Sequence, residues 1–119
     1  MSKKILIVDD DQLLRDVVGQ YLSKNGYEVV IPKSAVETLE IFQPGNFSLA
    51  IIDLVMPDIG GIELMESLIS RDPNLKVVIM TGYPTVDSAY KAMVDGVFEY
   101  IIKPFRMKEL LEVAQKLIG

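Results

Sequence analysis

The sequence predicts an α/β fold of the doubly wound kind, (βα)5, with a five-stranded parallel sheet in the order 2-1-3-4-5. Two observations carry this reading. Short apolar runs alternate five times with segments of helical periodicity, and three of the runs are uninterrupted by any polar residue. Such runs suit strands buried on both faces, as in a parallel sheet covered by helices. Regular alternation implies right-handed crossovers, and five strands are too few for a closed barrel of eight.

The elements follow in order. Ile5-Leu6-Ile7-Val8, Leu49-Ala50-Ile51-Ile52 and Val77-Val78-Ile79-Met80 are the three continuous runs. Tyr27 to Ile31 and Phe98 to Ile102 are the other strands, each broken by a Glu, which suits a sheet edge. Leu13, Leu14, Val17, Val18, Tyr21 and Leu22 recur at helical spacing, with Asp11 as N-cap and Gly26 as the stop. Ser34 with Glu37 reads as a capping box for the second helix. Ile62, Met65, Leu68 and Ile69 mark the third, ended at Asp72-Pro73. Val86, Ala89, Tyr90, Met93 and Val94 mark the fourth, stopped by Gly96, and Met107, Leu110, Leu111, Ala114, Leu117 and Ile118 the fifth. No linker or composition break appears, so residues 1–119 read as one domain.

Composition narrows the chemistry. The chain has no cysteine and no histidine, which disfavours zinc and excludes a Ser-His-Asp or Cys-His mechanism within it. A metal would be a hard cation held by oxygen. The net charge of −5 leaves no basic stripe for direct nucleic-acid binding. No apolar run is long enough for a membrane span, and with neither signal peptide nor cysteine the expected location is the cytoplasm.

In open α/β sheets, sites form at the carboxyl ends of the strands. Here the first strand ends in Asp9-Asp10-Asp11, the third in Asp53, the fourth in Thr81 and the fifth in Lys103-Pro104. Asp and Thr also serve as plain caps and turn residues, and Asp11 reads as one. Asp9, Asp10 and Asp53, however, directly end apolar strands that are neighbours in the predicted order. Clustered carboxylates repel, at roughly 4 kcal/mol per pair at ~4 Å and an effective dielectric of ~20. Such a cluster calls for a cation. Mg²⁺ or Ca²⁺ are the candidates, and few carboxylates with room for water suit Mg²⁺. Lys103 and Thr81 at the same rim complete a set suited to phosphoryl transfer, with a carboxylate as acceptor. The glycine-free turn DDDQLL argues against a nucleotide loop.

The segments ILIVDDD, IIDLVMPDIGG, VVIMTGY and YIIKPF, in that order, resemble the receiver family of two-component signalling along essentially the whole chain. The resemblance implies a flavodoxin-like fold and a switch rather than an enzyme, catalysing only its own phosphoryl transfer and slow autodephosphorylation. It implies Asp53 as phosphoacceptor and Mg²⁺ held by Asp10, Asp53 and the Val55 carbonyl, with Asp9 acting largely through water. It also implies Thr81 as switch hydroxyl, Lys103 paired with Asp53 at rest, a cis Lys103-Pro104 bond, and Tyr100 as an aromatic switch turning inward after Thr81. On the strand pattern alone, Tyr100 reads equally as a packed edge aromatic. Implied partners are a histidine kinase or phosphotransfer protein and a downstream effector domain or protein, with a phosphorylation-dependent dimer also allowed. Readout would fall on helix four, strand five and helix five. A rival is a haloacid-dehalogenase-type phosphatase using Asp9 as nucleophile with Asp11, Thr81 and Lys103; it leaves Asp53 unexplained.

Overall fold

The computed structural model describes residues 3–119, and only the backbone of Val86. Ten elements alternate: β1 (Lys4–Val8), α1 (Gln12–Lys24), β2 (Glu28–Val30), α2 (Ala35–Ile41), β3 (Leu49–Asp53), α3 (Gly61–Arg71), β4 (Lys76–Thr81), α4 (Val86–Val94), β5 (Glu99–Ile102) and α5 (Met107–Ile118). All strand pairings are parallel and the order is β2-β1-β3-β4-β5, as the alternation predicts. No helix among the described residues is long and apolar enough to cross a membrane.

Both faces of the sheet are packed, and strand alternation decides which side chain enters which core. Ile5, Ile7, Leu49, Ile51, Val78, Met80 and Ile101 face α1 and α5, with Val18, Leu22, Leu110 and Ala114. Leu6, Val8, Ala50, Ile52, Val77 and Ile79 face the other way, onto Leu64, Met65, Leu68 and Ala92. Burying an Ile or Leu side chain is worth about 1.5–3 kcal/mol, so the continuous runs are the main source of stability.

Helix ends match most of the local signals. Asp11 caps α1 by accepting the Leu14 N–H at 3.2 Å. Gly26 and Gly96, just beyond α1 and α4, take φ values of 97° and 94° that other residues avoid. The capping box expected at α2 is only half formed. The Ser34 hydroxyl accepts the Glu37 N–H at 3.0 Å, but the Glu37 carboxylate accepts from Lys33 N–H, one residue before the cap. A complete box closes α4 instead, between Thr85 and Ser88. Arg106 precedes α5 without a side-chain cap.

Two helices depart from the apolar faces that spacing suggests. In α1, Leu13 and Val17 are exposed, and the buried face is Val18, Gly19 and Leu22. In α4, Tyr90, Met93 and Val94 face solvent, and the residue that meets the core is Ala92. A small alanine on the sheet side leaves the larger side chains of this short helix outside. The Val86 side chain, assigned by spacing to the same face, lies outside the described part.

Candidate functional site: an acid pocket at the carboxyl edge of the sheet

Register brings the acidic residues together. Val8 pairs with Ile52 across β1 and β3, so the next residues, Asp9 and Asp53, leave the sheet side by side. Strand parity sends both toward the α1–α5 face, the side to which Ile101, two residues before Lys103, also points. One carboxylate oxygen from each of Asp9, Asp10 and Asp53 lies within 4.8 Å of the others. Asp9 and Asp53 are buried and Asp10 is exposed.

Lys103 neutralises part of this charge. Its Nζ is 2.8 Å from Asp9 Oδ2 and 3.4 Å from Asp53 Oδ2. The family resemblance pairs this lysine with Asp53; in the structure it contacts both and is closer to Asp9. The other Asp9 oxygen accepts the Asp11 N–H at 2.8 Å. Burial pulls the Lys103 ammonium down, but the Asp9 hydrogen bond and the charges of Asp9 and Asp53 together outweigh it and leave its pKa raised. Burial pushes the Asp53 carboxyl up to about 6, helped by the Asp9 charge and opposed by Lys103 and the Val55 N–H. The peptide bond Lys103-Pro104 is cis.

The other predicted site residues surround this cluster at different ranges. Val55 lines the same cavity as Asp10, Asp53, Tyr83 and Lys103, about 220 Å³ in volume. Thr81 is fully buried at the end of β4, and its hydroxyl accepts the Tyr83 N–H at 3.0 Å. Parity puts Thr81 on the α4 side of the sheet edge, opposite to Asp53. Tyr100 shares that α4 side, and its hydroxyl lies 3.0 Å from Ser88 Oγ, the residue that closes the α4 capping box. Sequence reasoning missed Ser88, and also Arg15, whose guanidinium donates to the Asp9 and Lys33 carbonyls at 3.3 Å each. The Thr85–Ser88 spacing was the local signal for a cap, whereas the Ser88 contact with Tyr100 and the Arg15 contact with Lys33 come from other elements and had none.

A family model described as response regulator receiver domain matches residues 5–115. The chain belongs to the receiver family. This receiver is 38% identical to the response regulator FleR of Pseudomonas aeruginosa, over the whole chain but 25% of that protein. It is 36% identical to the DNA-binding transcriptional regulator NtrC of Azospirillum brasilense, over 97% of the chain and 24% of that protein. The receiver therefore spans about a quarter of the length of these relatives. Among solved structures, a CheY-like receiver domain protein from Methanospirillum hungatei superposes with a TM-score of 0.93 at 37% identity, covering 98% of this chain and 94% of that one. Chemotaxis protein CheY4 of Vibrio cholerae gives a TM-score of 0.91 at 26% identity, covering 99% and 100%.

The donor set fits a hard divalent ion. All candidate side-chain ligands are carboxylate oxygens, and the exposure of Asp10 leaves room for water. Crowding three carboxylates around one lysine also leaves net repulsion in the metal-free receiver. Asp10→Asn is accordingly expected to raise the metal-free melting temperature by about 3 °C, a modest gain because Asp10 is solvated and Lys103 offsets part of the charge. The same change should blunt the rise in melting temperature on adding Mg²⁺. A metal-free melting temperature equal to wild type would mean the pocket is not strained by charge.

Proposed function

We propose that residues 1–119 act as one phosphorylation-dependent switch, with Asp53 accepting a phosphoryl group in a Mg²⁺-dependent reaction. The observation that carries this is the convergence of the Asp9, Asp10 and Asp53 oxygens within 4.8 Å, with Lys103 ion-paired to two of them. Asp53 is the better acceptor of the two buried carboxylates. Asp9 has one oxygen committed to the Asp11 N–H and the other to Lys103 at 2.8 Å, whereas Asp53 makes looser contacts at 3.4 Å. With a pKa of about 6, Asp53 is largely ionised at neutral pH and has a lone pair to offer.

In the proposed reaction an ionised Asp53 oxygen attacks phosphorus, and the phosphorus–nitrogen bond of a phosphohistidine breaks. Its electron pair stays on the imidazole nitrogen, which takes up a proton. Residues 1–119 contain no histidine, so the phosphohistidine donor lies outside them, on a histidine kinase or phosphotransfer protein; acetyl phosphate is a small-molecule substitute. Asp10, Asp53 and the Val55 carbonyl would hold Mg²⁺, with Asp9 acting through water, and the ion supplies positive charge against the phosphoryl oxygens. Lys103 is poised to pair with one of those oxygens. The Thr81 hydroxyl, which accepts the Tyr83 N–H, keeps its proton to donate to another, and Tyr100 turns inward only by leaving Ser88. Phosphorylation thus shifts an equilibrium between two arrangements of the β4–α4 region.

The α4–β5–α5 surface, where Tyr90, Met93, Val94, Phe98 and Ile102 are exposed, is the readout face toward an effector domain, effector protein or second copy. The setting is the cytoplasm, and the domain acts as a switch and not as an enzyme on other substrates. Incubation with acetyl phosphate and Mg²⁺, borohydride reduction of the acyl phosphate and peptide mapping should label Asp53. Label on Asp9 would instead support the phosphatase-like chemistry and overturn the switch.

A further inference from the structure

The loop from Leu54 to Gly60 joins the acceptor strand to α3 and carries Val55. Its base is pinned by backbone contacts. Leu54 N–H donates to Met80 O at 3.0 Å, and Gly61 N–H donates to Leu54 O at 2.9 Å. Gly61 packs so closely on this base that a Cβ there would sit 2.7 Å from Leu54 Cα. Val55 itself donates to Asp53 Oδ1 at 3.4 Å, a long bond.

The loop tip is held differently. Asp58 is exposed, yet its Oδ2 accepts the Val36 N–H of α2 at 3.1 Å, across 22 residues of sequence. Val36 is the second residue of α2, where amides have no partner within the helix. Ser34 satisfies the Glu37 N–H, and Asp58 satisfies that of Val36. The Val36 N–H foremost holds the Asp58 carboxyl below the usual range, against desolvation that raises it and with lesser help from the N–H groups of Ile59, Asp58 and Ala35. Beneath the tip, packing is incomplete: a cavity of about 170 Å³ separates Met56, Pro57 and Asp58 from Asp9 and Asp10. Contact with the acid pocket does not fix the height of the loop above it.

We propose that Asp58 is a positioning residue for metal binding: by bonding to α2 it suspends the loop tip and holds the Val55 carbonyl in place beside Asp10 and Asp53. This role rests on the Mg²⁺-dependent reading above and extends it to a residue outside the pocket. It also means that α2, whose first turn is capped from the loop, is mechanically linked to the metal site.

Titration calorimetry with MgCl₂, together with melting temperature and hydrogen exchange of the metal-free protein, tests it on the full chain. Asp58→Ala should weaken Mg²⁺ binding about fivefold, the loss expected of one exposed charge-assisted hydrogen bond. Exchange of the amides of Val55 to Ile59 should quicken in the same variant. Asp58→Asn keeps an acceptor oxygen and should bind Mg²⁺ within about twofold of wild type. Thr85→Ala removes a helix cap that bonds neither the loop nor α2, so it should lower the melting temperature while leaving Mg²⁺ affinity unchanged. Undiminished Mg²⁺ affinity in Asp58→Ala would overturn the role of Asp58 alone. An equal loss in Asp58→Asn would also overturn it, since charge rather than position would then be the cause. No Mg²⁺ binding by the wild type would overturn the proposed function, and this role with it.

Discussion

Replacing Val55 with Asn and Tyr83 with Glu is expected to shorten the lifetime of the Asp53 phosphoryl group by between about tenfold and a hundredfold. Val55 stands two residues after Asp53 and Tyr83 two after Thr81, and both line the cavity into which Asp53 opens. Val55 is 50% exposed and Tyr83 76% exposed, so they form the rim past which water must travel. Hydrolysis needs a water in line with the Asp53–phosphorus bond and a group to take its proton. A valine side chain offers no acceptor, and the tyrosine ring occupies volume there. Asn would help orient the water and Glu would accept its proton. A positioned general base contributes about 10²–10⁴-fold, and a solvated one at the rim, less firmly placed, contributes about tenfold to a hundredfold. The Tyr83 N–H to Thr81 is a backbone bond and survives the substitution. Loading with acetyl phosphate, removing the donor and following phosphate release gives the rate. A double variant that decays no faster than wild type would remove any protective role from this pair.

Metal-free protein should lose stability as pH rises from about 4 to about 6, in excess of any loss in Asp53→Asn. The Asp53 carboxyl is raised to about 6 by burial first and by Asp9 second, whereas an unfolded Asp titrates near 3.9. Between those values the native state binds more protons than the unfolded state. Stability therefore falls with rising pH across that window and levels off above it. Two pKa units correspond to at most about 3 kcal/mol, and residual solvent screening reduces this to about 2 kcal/mol, or roughly 5–10 °C in melting temperature. Asp58 acts in the opposite sense, since its lowered carboxyl pKa favours the fold as pH rises, so the comparison with Asp53→Asn isolates the pocket. Saturating Mg²⁺ should flatten the fall, because the bound ion favours the ionised carboxylate. Parallel melting profiles for wild type and Asp53→Asn would mean that Asp53 titrates normally.

Most of the fold was legible because its signals are local and redundant. Ile5 to Val8, Leu49 to Ile52 and Val77 to Met80 admit only buried strands, and Glu28 and Glu99 mark the two edges. Where local patterns misled, tertiary packing overrode them. Tyr90, Met93 and Val94 were right for a helix but not for the core, since the described α4 residue buried against the sheet is Ala92. Glu37 looked like a capping-box partner, yet the turn before α2 presents it with Lys33 N–H instead.

By itself, the sequence determined which charged residues meet at the carboxyl edge of the sheet, because an acidic or basic side chain that ends an apolar strand is carried to that edge whatever the loops do. Tertiary structure alone decided how those groups are paired. Lys103 meets Asp9 across 94 residues, Asp58 meets Val36 across 22, and Tyr100 meets Ser88 between a strand and a helix. Periodicity relates residues a few positions apart on one element. These contacts depend instead on strand register, on which face each strand turns outward and on the path of the loops, all of which are set by the packed sheet.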